Sequence, residues 1–213
     1  MIRVLLADDH AVVRDGLRFL LEAQGDIKVV GNANDGRDAV RQVSILKPDI
    51  VVMDIAMPEL NGIEATLQIQ KKCPSTRVII LSMHSTAEHI RQSLQAGAQG
   101  YVLKKSAGEE VVEAVRAVNS GRGYLSKTIA GIVIDDYRGL RSATSPLENL
   151  TRRERQILQL IAEGKSNAEA AHILFLSPKT VETYRSRMMQ KLGISNLSGL
   201  IKFAVQHGLT SLE

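Results

Sequence analysis

The chain has 213 residues, 44% of them hydrophobic and 3% aromatic, with 27 Lys/Arg, 23 Asp/Glu and one cysteine. That length gives one large domain or two small ones; the apolar fraction and mixed charge exclude wholesale disorder, and a single Cys73 excludes a disulfide framework or a multi-cysteine zinc site. No apolar run approaches the roughly 18 residues of a membrane span, and the N-terminus turns acidic at Asp8-Asp9 where a secretory leader would stay apolar, which points to a soluble cytoplasmic protein.

Five short β-branched or leucine runs recur along the first half, at residues 4–6, 29–30, 50–53, 78–81 and 101–103, each too short for a helix and suited to a buried strand. Between them lie stretches with helical spacing, such as Val13, Leu17, Leu20 and Leu21, or Val111, Val115 and Val118, the latter preceded by the capping-box pattern Ser106-Ala107-Gly108-Glu109. Five strands alternating with five helices predict an α/β, doubly wound parallel sheet.

Function in such sheets gathers outside the carboxyl ends of the strands. Those ends carry Asp8 and Asp9 on the first run, Asp54 on the third, Ser82 on the fourth and Lys104 on the fifth. Singly, each would be a turn former, a helix cap or a solvated group. Together they place three carboxylates, a hydroxyl and an ammonium in one crevice, and carboxylates so close need a cation among them. Oxygen donors select a hard ion, for which Mg²⁺ fits best. One carboxylate can then attack a phosphoryl donor; Asp54, central and followed by the turn segment Met57-Pro58-Glu59-Leu60-Asn61-Gly62, is the expected nucleophile, with Lys104 and Ser82 contacting phosphoryl oxygens. This chemistry serves a phosphorylated switch or a Mg²⁺-dependent phosphohydrolase alike.

Asp8-Asp9, the segment Asp54-Ile55-Ala56-Met57-Pro58 with Gly62, Ser82, Ala96-Gly97-Ala98, Gly100-Tyr101 and Lys104 together resemble the receiver domain of bacterial two-component response regulators, over about residues 1–120. The resemblance implies that Asp54 is the phosphoacceptor for a sensor histidine kinase and that Mg²⁺ is held by Asp8, Asp9, Asp54 and the Ala56 carbonyl. It also makes Ser82 and Tyr101 the switch pair, the hydroxyl moving to the phosphate while the ring turns inward. Lys105 stands where many receivers carry proline in a cis bond, which leaves the isomer of the Lys104–Lys105 peptide open. Haloacid-dehalogenase-like hydrolases, by contrast, place Asp-x-Asp after the first strand, where this chain has Asp8-Asp9-His10.

Residues 121–146 read as a linker, polar and punctuated by Gly and Pro, with a candidate short helix at 129–137. Charge separates the halves: 14 Lys/Arg against 15 Asp/Glu in residues 1–120, and 13 against 8 in 121–213. A basic half is compatible with a polyanionic partner or with a solvated basic face. Over residues 147–213 the expected unit is all-α with four helices. Thr151-Arg152-Arg153-Glu154 and Ser166-Asn167-Ala168-Glu169 match capping boxes, Ser177-Pro178 opens a third helix to about residue 192, and a fourth spans 196–207.

On the third of these helices Val181, Tyr184, Met188 and Leu192 form an apolar core stripe, opposite Lys179, Glu182, Thr183, Ser186, Arg187 and Gln190. A helix, a short turn and a polar-faced helix make the helix-turn-helix plan, whose second helix enters the major groove. Leu150-Thr151-Arg152-Arg153-Glu154, Glu163-Gly164-Lys165-Ser166-Asn167, the run from Leu176 to Arg187 and Lys191-Leu192-Gly193 resemble the LuxR-type DNA-binding domain, so that the whole chain is similar to NarL/FixJ-family response regulators. That resemblance implies base contacts from Lys179, Glu182, Thr183 and Ser186 and phosphate contacts from Ser166, Thr180, Tyr184, Arg185 and Arg187. Ala170 is smaller than the aliphatic residue usual in the supporting helix, and so leaves room for a void.

The expected protein is thus a phosphorylation-dependent transcription regulator and not an enzyme. Its expected partners are a double-stranded DNA operator with half-sites about 10 bp apart, a histidine kinase, RNA polymerase and, when phosphorylated, a second copy of itself. A regulator that binds DNA without phosphorylation and a phosphohydrolase are the alternatives. His10, His84, His89, His172 and His207 lack metal-ligand spacing and read as surface or satisfied residues.

Overall fold

A computed structural model describes residues 1–137 and 146–210, with Glu109, Tyr137 and Glu148 described by their backbone alone. The chain divides into two units, residues 1–141 and 142–213. In the first, the central strands carry apolar residues on both faces, which suits strands between two helical layers. Strands β1 (Ile2–Ala7), β2 (Ile27–Ala33), β3 (Ile50–Asp54), β4 (Arg77–Ser82) and β5 (Gly100–Leu103) pair in parallel in the order β2-β1-β3-β4-β5. Val4, Leu6, Ile50, Val52 and Ile79 face one core, covered by α1 (Ala11–Glu22) and α5 (Ala107–Asn119) through Leu17, Leu21, Val111 and Val115. Leu5, Val51, Met53 and Ile80 face the other, covered by α2 (Gly36–Leu46), α3 (Gly62–Lys72) and α4 (Ala87–Gln95) through Val43, Ile69 and Ile90.

The sheet has one strand more than the five predicted. Strand β6 (Tyr124–Leu125) adds parallel to β5, and α6 (Lys127–Tyr137) follows it. Both fall inside the stretch read as linker, and the helix begins two residues before the 129–137 expected. A strand of two residues has no periodicity to read; its hold is the ladder itself, where Tyr124 N donates to Gln99 O (3.0 Å) and Ser126 N to Tyr101 O (3.1 Å). Ile129 of α6 is fully buried in the same cluster as Tyr101. The capping box expected at Ser106 does not form. Ser106 has φ −110° and ψ 8°, away from the extended conformation of a capping residue, and its hydroxyl donates back to Leu103 O at 3.2 Å within the 3-10 turn Lys104–Ser106. The Lys104–Lys105 peptide is trans, as are all described peptide bonds.

In the second unit a 3-10 turn (Pro146–Asn149) precedes four helices: α7 (Arg152–Ala162), α8 (Asn167–Leu174), α9 (Pro178–Leu192) and α10 (Leu197–Gln206). The capping boxes at Thr151/Glu154 and Ser166/Glu169 form in full, and Ser177 caps α9 ahead of Pro178 at its first turn. Leu158, Ile161, Leu174, Val181, Met188 and Leu200 make the core, with Tyr184 and Leu192 packed against it as the stripe predicts. Ala170 is fully buried in that cluster. Among the described residues no helix is long and apolar enough to cross a membrane.

Candidate functional site: an acidic strand-end pocket and an exposed helix

The strand order brings the ends of β1, β3 and β5 to one edge of the sheet, and with them four of the predicted residues. Asp54 closes β3 and is 3% exposed, Asp8 follows β1 and is 2% exposed. Lys104 Nζ lies 2.8 Å from Asp54 Oδ2 and 2.8 Å from Asp8 Oδ2. Burial pushes the Asp54 carboxyl above its ordinary value, reinforced by Asp8 and Asp9 and only partly offset by the Lys104 ammonium. Burial pulls Lys104 down, but Asp54 and Asp8 outweigh it and leave the ammonium above its ordinary value.

His10 borders this pocket as an exposed residue with a partnered ring, in line with the expectation of a surface or satisfied residue. Its Nδ1 is 2.7 Å from Asp9 Oδ1 and 3.2 Å from Asp8 Oδ1, and Asp9 raises its pKa above the ordinary value. Ligand atoms of Asp8, Asp9, His10 and Asp54 lie within 4.8 Å of one another. The signal in the sequence was adjacency: His10 directly follows the acidic pair at a strand end, where no spacing rule applies.

The loop after Asp54 is closed tightly. Gly62 N donates to Ile55 O (2.9 Å), Gly36 N donates to Leu60 O (3.1 Å), and Asn61 Oδ1 caps α3 by accepting from Glu64 N (2.9 Å). A Cβ on Gly62 would stand 1.9 Å from Asp54 O, so only glycine permits this approach. Ala56, half-buried, lies in this loop two residues after Asp54. Ser82 and Tyr101 are both fully buried and meet through the backbone of His84: Tyr101 Oη donates to His84 O (2.8 Å), and His84 N donates to Ser82 Oγ (3.0 Å). Burial raises the Tyr101 phenol to about 12, so the ring stays a hydrogen-bond donor at neutral pH.

In the second unit, Lys179, Glu182, Thr183, Ser186 and Arg187 are exposed along α9, whereas Thr180, Tyr184 and Arg185 are half-buried. Two of the predicted contact hydroxyls already serve helix ends: Ser166 Oγ donates to Glu169 Oε2 (2.6 Å), and Thr180 Oγ1 shares a hydrogen bond with Ser177 Oγ (2.8 Å). Helix α9 is strapped to α7 by Lys191 Nζ, which donates to the buried Glu154 Oε2 at 2.7 Å. Arg153 of α7 reaches Leu174 O at the end of α8 (2.5 Å). The polar face of α9 is thereby held on a fixed scaffold, at the position of the second helix in a helix-turn-helix.

Residues 4–116 match the response regulator receiver domain family, and residues 148–204 match the bacterial regulatory proteins of the luxR family. The chain belongs to the NarL/FixJ-type response regulators. It is 40% identical over 211 residues to the transcriptional regulatory protein LiaR of Bacillus subtilis, covering 99% of this chain and 100% of LiaR. It is 41% identical over 213 residues to the response regulator UvrY of Escherichia coli K12, covering 100% and 98% respectively. Among solved structures, a complex of the response regulator RcsB with DNA superposes with a TM-score of 0.59 at 26% identity, covering 95% of this chain and 96% of RcsB. The response regulator thus joins a receiver to a LuxR-type DNA-binding domain and acts as a transcription regulator.

Proposed function

We propose that Asp54 accepts a phosphoryl group from a sensor histidine kinase and that the phosphorylated protein binds, as a dimer, an operator of two half-sites read by α9. The receiver function is assigned to residues 1–120 and DNA binding to 147–213, in the cytoplasm, with RNA polymerase as the downstream partner. The observation that carries the reading is Asp54 itself, a buried carboxylate at the end of a central strand with an ammonium 2.8 Å away. RcsB bound to DNA supports the DNA partner, and two RcsB dimers bound to two DNAs support a dimer.

The pocket suits a divalent cation. Asp8 Oδ2 and Asp9 Oδ1 are buried, and face the Lys104 ammonium at 2.8 Å and the His10 ring nitrogen at 2.7 Å. Three carboxylates with oxygens converging within 4.8 Å are hard donors that fit Mg²⁺, with Asp8, Asp9, Asp54 and the Ala56 carbonyl as the holding set. When bound, Mg²⁺ supplies positive charge between the carboxylates and the phosphoryl oxygens.

A carboxylate oxygen of Asp54 attacks phosphorus, and the bond from phosphorus to the donor atom of the kinase breaks with its electron pair staying on the donor. Lys104 turns from the carboxylate to the phosphoryl oxygens, so its charge is never left unpaired. The Ser82 hydroxyl leaves His84 N and donates to the same group, while inward Tyr101 holds the displaced loop through His84 O. A local charge change thereby biases a two-state element.

A footprint of the acetyl-phosphate-treated protein on its promoter tests the reading. Protection of two half-sites about 10 bp apart, lost when one half-site is scrambled, is expected. Binding indifferent to that scrambling would contradict it.

A further inference from the structure

A second recess, sharing no residue with the acidic strand-end pocket, opens between α2 and α3 with a volume of about 410 Å³. That volume lies within the roughly 300–1,000 Å³ of small-molecule clefts. Gly36 N donates to Leu60 O (3.1 Å), and a Cβ on Gly36 would stand 2.1 Å from that carbonyl, so the start of α2 sits directly on the loop before α3. Beyond this contact the recess has an apolar floor of Val40 and Leu60, both buried, and an apolar wall at Ile45, which is 67% exposed. Arg37 and Arg41 of α2 and Lys72 of α3 also line it, and no carboxylate does. Arg41 Nη2 meets Asp38 Oδ1 at 2.6 Å, whereas the buried Arg37 Nε stands 3.7 Å from Glu59 Oε2 and makes no hydrogen bond. Lys72 makes no ion pair among the described residues.

These groups define the ligand by what each simpler one leaves unmet. A bare inorganic anion would pair with the cations but leave Ile45 in water. A neutral hydrocarbon would cover the apolar floor but strip water from three charges without replacing it. An oxyanion joined to a short apolar body meets both demands. Because Val40 and Leu60 lie buried between the helices, the body has to enter as a dissolved molecule, since a flat lipid surface does not reach them. We propose that the recess between α2 and α3 binds a small amphipathic anion, its carboxylate or phosphate on Arg37, Arg41 and Lys72 and its apolar body on Val40, Ile45 and Leu60. This site stands independently of the cation-site reading above.

Decanoate below its micellar concentration, titrated into the full-length protein at neutral pH, is the probe. Isothermal titration should give one saturable site, with methyl shifts in NMR centred on Val40, Ile45 and Leu60. Replacing both Arg41→Gln and Lys72→Gln should weaken decanoate about tenfold and leave thermal unfolding of the free protein unchanged. Decanol should bind wild type about tenfold more weakly than decanoate and should not distinguish the double variant from wild type. Ser44→Phe, which fills the recess from an exposed position on its wall, should abolish decanoate binding by itself. Shifts centred elsewhere, equal affinity for decanoate and decanol, full affinity in either variant, or no saturable binding would overturn the site. Capture of the protein by phosphatidylglycerol vesicles without binding of dissolved decanoate would overturn the free ligand in favour of a membrane surface.

Discussion

Lys104 and Asp54 form a 2.8 Å ion pair in which the carboxylate is nevertheless held above its ordinary pKa, because burial and the neighbouring Asp8 and Asp9 outweigh the single ammonium. A carboxyl raised on folding stabilises the fold only below its unfolded pKa, and that contribution is lost as pH rises through the folded value. At neutral pH and without divalent cations, Asp54→Asn should therefore raise the melting temperature of the first unit, by an increment that shrinks on approach to pH 4. Mg²⁺ should stabilise wild type by about 2.7 kcal/mol at a hundredfold excess over Kd, and the variant by less. Calorimetry at pH 7 and pH 4 checks this, and a variant that melts no higher than wild type at pH 7 would refute it.

Gly62 holds the loop against the phosphoacceptor strand. A methyl group there would press on Asp54 O at 1.9 Å and Met53 Cγ at 2.9 Å, and the first of these is backbone that cannot swing away. Gly62→Ala should cost about 3 kcal/mol of stability in the first unit and slow phosphorylation by acetyl phosphate, as urea unfolding and mass spectrometry would report. A loss below about 0.5 kcal/mol would mean that the loop moves freely.

Glu154 ties α7 to α9. Burial pushes its carboxyl up, but Lys191 and the Thr151 bonds outweigh this and hold it below its ordinary value. A depressed carboxyl stabilises above its unfolded pKa, and the second unit should lose that contribution as pH falls below about 4.5 and through the folded value. Lys191→Met should lower stability at pH 7 and flatten the decline between pH 6 and 3. A slope identical to that of wild type in urea titrations would show that the pair contributes nothing.

The exposed face of α9 yields two kinds of expected loss. Lys179→Ala and Glu182→Ala should each cost about 1–3 kcal/mol of discrimination between cognate and altered half-sites. Arg187→Ala should weaken binding to all sequences and reduce the salt slope by about one. Anisotropy titrations at several salt concentrations separate the two, and a position whose loss follows the opposite pattern would be reassigned.

The reading from sequence reached furthest where chemistry and periodicity coincided. Runs such as 50–53 end at a carboxylate, and in a parallel sheet every strand end points to one edge, so Asp8, Asp54 and Lys104 could be placed together before any coordinates. Tyr124–Leu125 escaped because a two-residue strand has no pattern; it exists through β5's open ladder and through Ile129 burying against the core. Ser106 matched a capping sequence but not a capping backbone, since the 3-10 turn from Lys104 fixes its dihedrals. His10 is exposed, as a surface residue was expected to be, but its pairing with Asp8 and Asp9 depends on ring direction, for which spacing gives no signal. The Ser82–His84–Tyr101 arrangement likewise runs through a backbone carbonyl and amide, which carry no sequence signature.

The most direct test is intact-mass analysis after incubation with acetyl phosphate and Mg²⁺, on wild type and Asp54→Ala, with DNA binding followed in the same samples. The account predicts one labile phosphoryl adduct on wild type alone, accompanied by tighter operator binding. Unmodified wild type that binds its operator as tightly as treated protein, or phosphate released in turnover without DNA binding, would contradict it.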